Sequence, residues 1–408
     1  LCSHKIEIAI FYGINGIMKL ELSAQQKKAQ AEFRAFVNQE ICPNAGEWDR
    51  KEFTPPELIK KIAQRGFLGA VLPQEYGGKG MDMITYGILN EEIGRGCSSV
   101  RSLLTVHNMV SQAVCKWGNK SQKEHWLPKF ASGEIIAAFA LSEPNVGSDA
   151  KSVETTATLS RDAYILNGQK KWITYGQIAD TYLVFAKCED KAGAFLVKKN
   201  SPGFSVKPMF GILGTRASMV AELQFDNCHV PLENLVGKLG FGFSYIASSA
   251  LDYGRYSVAT GSVGIAQACL EACIKYTNER KQFGIYLKEH QLIRQKITQM
   301  ITNTKAARLL CYQAGYLKEI NNPNSIIGTS IAKYFASTGA TKIANDAVQI
   351  HGGNGCSSEY PVERYLRDSK IMEIIEGSTQ IQEITIAESG YQDYLLSSAS
   401  MGLKNKLA

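Results

Sequence analysis

The chain has 408 residues, 45% of them hydrophobic, and a formal net charge of +7, from 45 Lys and Arg against 38 Asp and Glu. That length can bury two or three hydrophobic units. The mild basic excess, with no long basic block and no nucleic-acid motif, argues against nucleic-acid binding and suits a nucleotide or an acidic small substrate.

Residues 1–17 look unlike the rest. Ile6 to Tyr12 is briefly apolar, but it is short and lacks a signal-peptide cleavage pattern. Either Met18 is the native start behind a leader, or the stretch adds a small strand. From Ser23 the periodicity turns helical, with Ser23 as the cap of a first helix that Pro43 ends. Pro55-Pro56 opens the next helix. Further helices follow through Ile88 to Ile93 and Leu103 to Trp117. Residues 18–133 are expected to form a helical unit.

The composition changes near Gly133. Short β-branched segments follow at 135–141, 155–159, 163–166, 181–186, 193–197 and 221–225, separated by the turn signals Asn167-Gly168 and Pro202-Gly203. Residues 134–244 are therefore expected to form a compact β unit, a small barrel or two packed sheets. Long helices return from Ile246 to Tyr276, His290 to Leu317, Ser325 to Gly352, Glu359 to Glu376 and from Thr379 onward. Residues 245–400 read as a helical bundle, with a polar end at Met401 to Ala408 that is expected to fray. The fold class is mixed α and β. No apolar run reaches membrane-spanning length by this reading, so no membrane insertion is expected. The ten cysteines and six histidines are dispersed, without CxxC or HExxH. No metal site is expected, and buried thiols in a reducing compartment are.

Several stretches carry side chains suited to chemistry. In Ile371 to Gln382, a carboxylate, Glu376, stands between an apolar pair and Gly377. Packing of Ile374 and Ile375 inward would strip water from Glu376 and make it a stronger base, and Gly377 would let a substrate approach the backbone. Leu141-Ser142-Glu143-Pro144-Asn145-Val146-Gly147-Ser148-Asp149 follows the first strand. It offers hydroxyls and amides for a phosphorylated ligand, or is simply a decorated turn. In Lys171-Trp172-Ile173-Thr174, strand alternation would put Trp172 and Thr174 on one side, an indole face beside a hydroxyl. A buried core tryptophan is the alternative. Arg280 ends the long helix at Arg280-Lys281-Gln282-Phe283-Gly284, where it can bind a pyrophosphate or merely complement a helix end. Gln349 to Gly355 closes another helix with three glycines, and the Rossmann fingerprint is absent. Arg367 and Asp368 are expected to brace the Glu376 turn by an ion pair or cap.

Taken together and in this order, these motifs resemble the acyl-CoA dehydrogenase family of flavoproteins over residues 20–395. The resemblance implies a helical N-terminal domain, a central β-barrel-like domain and a C-terminal four-helix bundle. It also implies non-covalent FAD and a homodimer or homotetramer. Glu376 then matches the base that removes the α-proton while the β-hydrogen leaves as hydride to the flavin. Leu141, Ser142, Ser148, Trp172, Thr174, Thr379 and Gln380 match flavin contacts. Arg280, Phe283, Gln349 and Gly353 match residues that reach the FAD of a neighbouring subunit. Ser148, Arg255, Glu376 and Gly377 match the substrate region. Some relatives place the base just before that arginine; here the position is Gly254. The implied substrate is a short- or medium-chain acyl-CoA, with electrons passed to an electron-transfer flavoprotein or to oxygen. Ile375, Cys356 and Asn145-Val146 depart from the family pattern. They keep open an acyl-carrier-protein-bound acyl, hydroxymalonyl or aminomalonyl substrate from polyketide or mixed peptide biosynthesis. A non-catalytic flavin-binding homologue is the remaining alternative, against which the intact Glu376 speaks. The location is expected to be cytoplasmic, or an organelle interior after leader removal.

Overall fold

The computed structural model of the chain describes residues 21–404, with side chains to residue 395. The expectations for residues 1–17 lie outside the described residues, as do residues 405–408, while the end expected to fray from Met401 is helical through Lys404.

Helices come first: α1 (Ala24–Phe36), α2 (Ala45–Lys51), α3 (Pro56–Gln64), α4 (Met83–Gly96), α5 (Ser98–Trp117) and α6 (Lys120–Ser132). α1 starts where expected because Ser23 Oγ accepts the Gln26 N–H at 3.2 Å while Gln26 Oε1 accepts the Ser23 N–H at 3.0 Å. This reciprocal cap satisfies two donors that a helix start leaves unpaired. Asp82 caps α4 through the Thr85 N–H at 2.9 Å. α4 and α5 are buried on nearly every side.

Eight strands follow: β1 (Ala137–Ala140), β2 (Thr156–Leu159), β3 (Ala163–Ile173), β4 (Thr181–Cys188), β5 (Lys191–Lys198), β6 (Phe204–Pro208), β7 (Ala221–Pro231) and β8 (Leu235–Val236). They form one sheet in the order β6-β7-β3-β2-β4-β5-β8, with β1 parallel to β4. The barrel-like expectation is corrected here. Among the described residues the edge strands β6 and β8 pair only inward, with β7 and β5, and never with each other. Closure needs edges of matched length and stagger, and β8 offers only two residues. The sheet instead bends about an apolar cluster that includes Tyr164, Tyr182, Phe195 and Phe225, and lays its other face on α5 and α6.

Two local expectations also change. Asn167-Gly168 is no turn. It lies inside β3, where Gly168 (φ 142°) sits at a register shift against β7. Long pairing on both sides overrides the local turn preference, and a Cβ on Gly168 would lie 2.8 Å from Thr155 Cα. Trp172 (φ 64°) leaves the extended conformation, so strand alternation does not put it beside Thr174.

The chain then returns to helices: α7 (Ser248–Glu279), a small hairpin of β9 (Lys281–Gln282) and β10 (Ile285–Tyr286), α8 (Gln291–Glu319), α9 (Ser325–His351), α10 (Val362–Ile374) and α11 (Thr379–Lys404). α9 packs against α7, α8, α10 and α11. α4 meets α7 at glycines: a Cβ on Gly94 would lie 2.9 Å from Gly261 Cα. The helical stretch Gly242–Glu279 is long and apolar enough to cross a membrane, contrary to the sequence expectation, but most of it is buried inside the protein. Its apolarity is that of a core helix.

Candidate active site

The turn after α10 is a constrained stretch of backbone. Glu376 (φ 57°) and Gly377 (φ 90°) are both left-handed, a conformation that costs a residue with a side chain about 1–3 kcal/mol unless its surroundings hold it. The surroundings do so with cations and amides. Arg255 Nε donates to the Glu376 carbonyl at 3.1 Å. Lys333 Nζ donates to the carbonyls of Gly377 at 2.8 Å and Glu373 at 3.2 Å. Gln382 Nε2 donates to the Gly377 carbonyl at 3.1 Å, and Thr379 Oγ1 to that of Glu373 at 3.3 Å.

The carboxylate itself is left without hydrogen bonds. Glu376 Oε2 is buried and unpartnered, although the residue as a whole is only partly buried. Burial pushes its pKa up to about 7, against the pull of Arg255, Arg101 and Lys333. The burial does not come from the expected isoleucines. Ile374 is 55% exposed and Ile375 only partly buried. The wall is made by α7 and α5 instead. A Cβ on Gly254 would lie 2.5 Å from Glu376 Oε2 and 2.8 Å from Met109 Sδ. Gly254 thus makes room for the carboxylate, and a larger residue there would exclude it.

A second group gathers at the ends of β1 and β3. Leu141 is buried and Ser142 half-buried, and the Ser142 carbonyl accepts the Lys171 N–H at 2.9 Å. That bond ties the loop to Trp172, which is 55% exposed, with Lys171 Nζ 5.3 Å from the centre of its ring. Thr174 is half-buried, and the next residue, Tyr175, anchors the turn through Thr54 at 3.0 Å and the Ser99 carbonyl at 3.1 Å. Beneath the loop lies a pair that the sequence reading does not single out. Lys170 Nζ, fully buried, meets Glu143 at 2.6 Å and the Leu141 carbonyl at 3.0 Å. Burial presses the Lys170 pKa down to about 8, against Glu143. Burial pushes Glu143 up, but Lys170, Thr155 and the Glu154 N–H together hold it low. Ser148 is exposed on the neighbouring loop.

Arg280, Phe283, Gln349 and Gly353 do not join these groups within one chain. Arg280 is exposed at the end of α7, and Phe283, at the tip of the β9–β10 hairpin, is 95% exposed. Gln349 and Gly353 are exposed at the end of α9, where neighbouring His351 stacks on Tyr276 of α7. Thr379 and Gln380 open α11 beside the Glu376 turn. Arg367 and Asp368 do not pair with each other. Arg367 bridges Asp49 at 2.6 Å and Glu363 at 2.7 Å, while Asp368 accepts the Thr215 N–H at 2.6 Å. Lys333 and Arg101 are further residues absent from the sequence reading. Arg101 is a lone charge in a hydroxyl-rich and apolar run, Ser98 to Val110.

The residues of the β1–β3 group fit a flat cofactor. They present a half-open indole and a loop tied to it by the Ser142–Lys171 bond and braced from below by Lys170. A helical unit, a bent sheet and a second helical unit, with a buried carboxylate and this cradle, define a flavin-dependent dehydrogenase of acyl thioesters. The chain belongs to the acyl-CoA dehydrogenase family. It matches the family models for the acyl-CoA dehydrogenase N-terminal domain over residues 23–134, the middle domain over 138–228 and the C-terminal domain over 240–391. It is 39% identical over 374 residues to the mitochondrial short-chain specific acyl-CoA dehydrogenase of Rattus norvegicus, covering 90% of each chain. Among solved structures it is similar to a glutaryl-coenzyme A dehydrogenase in complex with glutaryl-CoA (TM-score 0.88, 37% identity, 92% of this chain and 97% of that one). It is also similar to FkbI, for biosynthesis of the methoxymalonyl extender unit of the Fk520 polyketide (TM-score 0.82, 31% identity, 89% and 99%). The protein is an FAD-dependent oxidoreductase with the acyl-CoA dehydrogenation activity typical of this family.

Proposed function

We propose that Glu376 is the base that removes the α-proton of a short acyl thioester, with Leu141, Ser142, Trp172 and Thr174 holding the flavin. The observation that carries this reading is the unpartnered, buried Oε2 of Glu376 on a turn held by Arg255 and Lys333. A carboxylate with a pKa near 7 and no internal hydrogen bond keeps its lone pairs for a substrate proton. Among the described residues the Glu376 N–H donates to no protein acceptor, which leaves it to orient and polarise the thioester carbonyl. Oε2 is buried where the α7 backbone at Gly254 comes close to it. Bound FAD supplies the two-electron acceptor for the β-hydrogen. Ser148, Thr379, Gln380, Arg255 and Gly377 complete the proposed contacts, and Arg280, Phe283, Gln349 and Gly353 serve the cofactor of a neighbouring subunit. The three-part division at 133/134 and 244/245 is proposed with this assignment.

The similarity to the prolyl acyl carrier protein oxidase AnaB (TM-score 0.85, 28% identity, 90% of this chain and 99% of that one) supports a second reading, in which the acyl group is carried by an acyl carrier protein rather than CoA. Onward electron transfer to an electron-transfer flavoprotein or to oxygen is part of the proposal. So is an organelle interior, which the mitochondrial rat relative supports over a cytoplasmic location.

Anaerobic titration of the yellow protein with matched acyl-CoA and acyl-carrier-protein thioesters tests both readings. Bleaching of the oxidised flavin with loss of two mass units from the acyl group is expected, and the carrier that bleaches faster is the physiological one. Glu376→Gln should keep the flavin bound and abolish bleaching. Unchanged bleaching would remove Glu376 from the reaction.

A further inference from the structure

Two arginines of α10, Arg364 and Arg367, have opposite surroundings. Arg367 is fully engaged: it donates to both carboxylate oxygens of Asp49 and to both of Glu363. Arg364 is only 6% exposed, yet among the described residues it forms no ion pair. Its Nε is buried without a hydrogen-bond partner. The Tyr365 ring, 5.3 Å from the guanidinium carbon, takes its flat face and not its N–H edge. The carboxylates around it are already in use, Asp49 and Glu363 by Arg367 and Asp368 by the Thr215 N–H. A buried guanidinium in that state is costly until an anion meets its edge.

The guanidinium lines a cavity of about 220 Å³ between α2 and the start of α10. Gly46 of α2 lines it too, and a Cβ there would lie 3.6 Å from Arg50 Nη1 and 3.7 Å from Arg364 Nη1. Arg50 is exposed and likewise forms no ion pair among the described residues. Two like charges therefore converge on one space, close enough for a single tetrahedral oxyanion to meet both. The backbone adds donors of the same kind. α10 has no side-chain cap, and the amides of Val362, Glu363 and Arg364 donate to no acceptor among the described residues. A helix start of this kind favours an anion. One lining carboxylate opposes it, the exposed Glu359.

We propose that this cavity binds one phosphate-class oxyanion, either free phosphate or the phosphoryl group of a small phosphomonoester. Arg364 is its buried anchor, Arg50 its outer clamp, and the start of α10 its backbone donor. The site shares no residue with those assigned to the flavin or the thioester. It sits at one end of the helix whose other end carries the Glu376 turn.

Cys42, exposed and lining the same cavity, gives a direct readout. In the FAD-loaded enzyme at constant ionic strength, inorganic phosphate and glycerol 3-phosphate are each titrated against the rate of Cys42 alkylation by iodoacetamide, read by peptide mass spectrometry. At least fivefold slowing is expected with one of them, and none with chloride. Arg364→Gln should abolish the protection. Arg50→Ala should raise the half-protecting concentration at least tenfold, and Glu359→Gln should lower it. Stronger protection by glycerol 3-phosphate identifies a phosphomonoester as the ligand; equal or stronger protection by inorganic phosphate identifies the free anion. Absence of protection by both overturns the proposal, and so does protection that survives Arg364→Gln or is matched by chloride. Should Arg364→Gln fail to hold FAD, Arg50→Ala decides in its place, because that side chain is exposed: an unchanged half-protecting concentration would overturn the site.

Discussion

Glu376 and Gly254 form a matched pair. The carboxylate needs burial to raise its proton affinity, and it gets that burial from a helix face that has no side chain where the carboxylate sits. A base works only when deprotonated. With its pKa raised to about 7 by burial, kcat/KM should climb about tenfold per pH unit below that value and level off above it. Stopped-flow bleaching across pH 5.5–9 reads the limb directly, and a flat profile through neutrality would deny Glu376 the role of base. The same fit makes Gly254→Ala informative. The new methyl must push the carboxylate aside, since a Cβ there falls 2.5 Å from Oε2. Displacement by about 1 Å costs a positioned group on the order of 100-fold in rate. We expect that loss in the bleaching rate with the flavin spectrum intact; retention of full rate would mean that the carboxylate works from another rotamer.

Single turns and strands show how much of this was legible. The helices were, because caps and apolar spacing act locally. Ser23 starts α1 and Pro56 opens α3 as their chemistry requires. Glu376 with Gly377, and Trp172 with Ser142, could be singled out because their residue types suit the chemistry. What closes the site around Glu376 was legible only at Gly254, the place before Arg255; Met109, Lys333 and Arg101 reach it from α5 and α9, distant in sequence. Asn167-Gly168 misled for the opposite reason: a strong local turn signal was overruled by pairing of β3 with β2 and β7. The turn itself depends on Lys333. Its ammonium is pressed down to about 8 by burial, with Glu376 opposing, and it ties together two carbonyls that Gln382 and Thr379 also reach. Lys333→Met removes both those hydrogen bonds and one of the cations that favour the ionised Glu376. The acidic limb of the rate profile should therefore move to higher pH, and the plateau rate should fall several-fold. A loss of thermal stability with an unmoved limb would make Lys333 purely structural.

The assembly of the whole chain follows the same division of labour. The sheet stays open, its edge strands too unequal to meet, and Arg367 ties α10 to α2 through Asp49. One feature of the isolated chain stays costly: Phe283 stands 95% exposed at a hairpin tip, with exposed Arg280 at its base. A phenylalanine that far from any core contributes nothing to folding and exposes apolar surface to water. The end of α9, with Gln349 and Gly353, lies against the same end of α7. Both features make sense if this corner meets the cofactor of a second copy, with the guanidinium on the pyrophosphate and the ring covering apolar surface. Flavin retention should then depend on assembly. Arg280→Ala with Phe283→Ala is expected to lower FAD affinity at least tenfold, and light scattering should show FAD loss on dilution tracking dissociation of the oligomer. The substitutions touch neither Glu376 nor Trp172, so protein that keeps FAD should bleach at the normal rate. Tight FAD in a doubly substituted monomer would show instead that one chain holds the cofactor unaided, and that the hairpin serves some other contact.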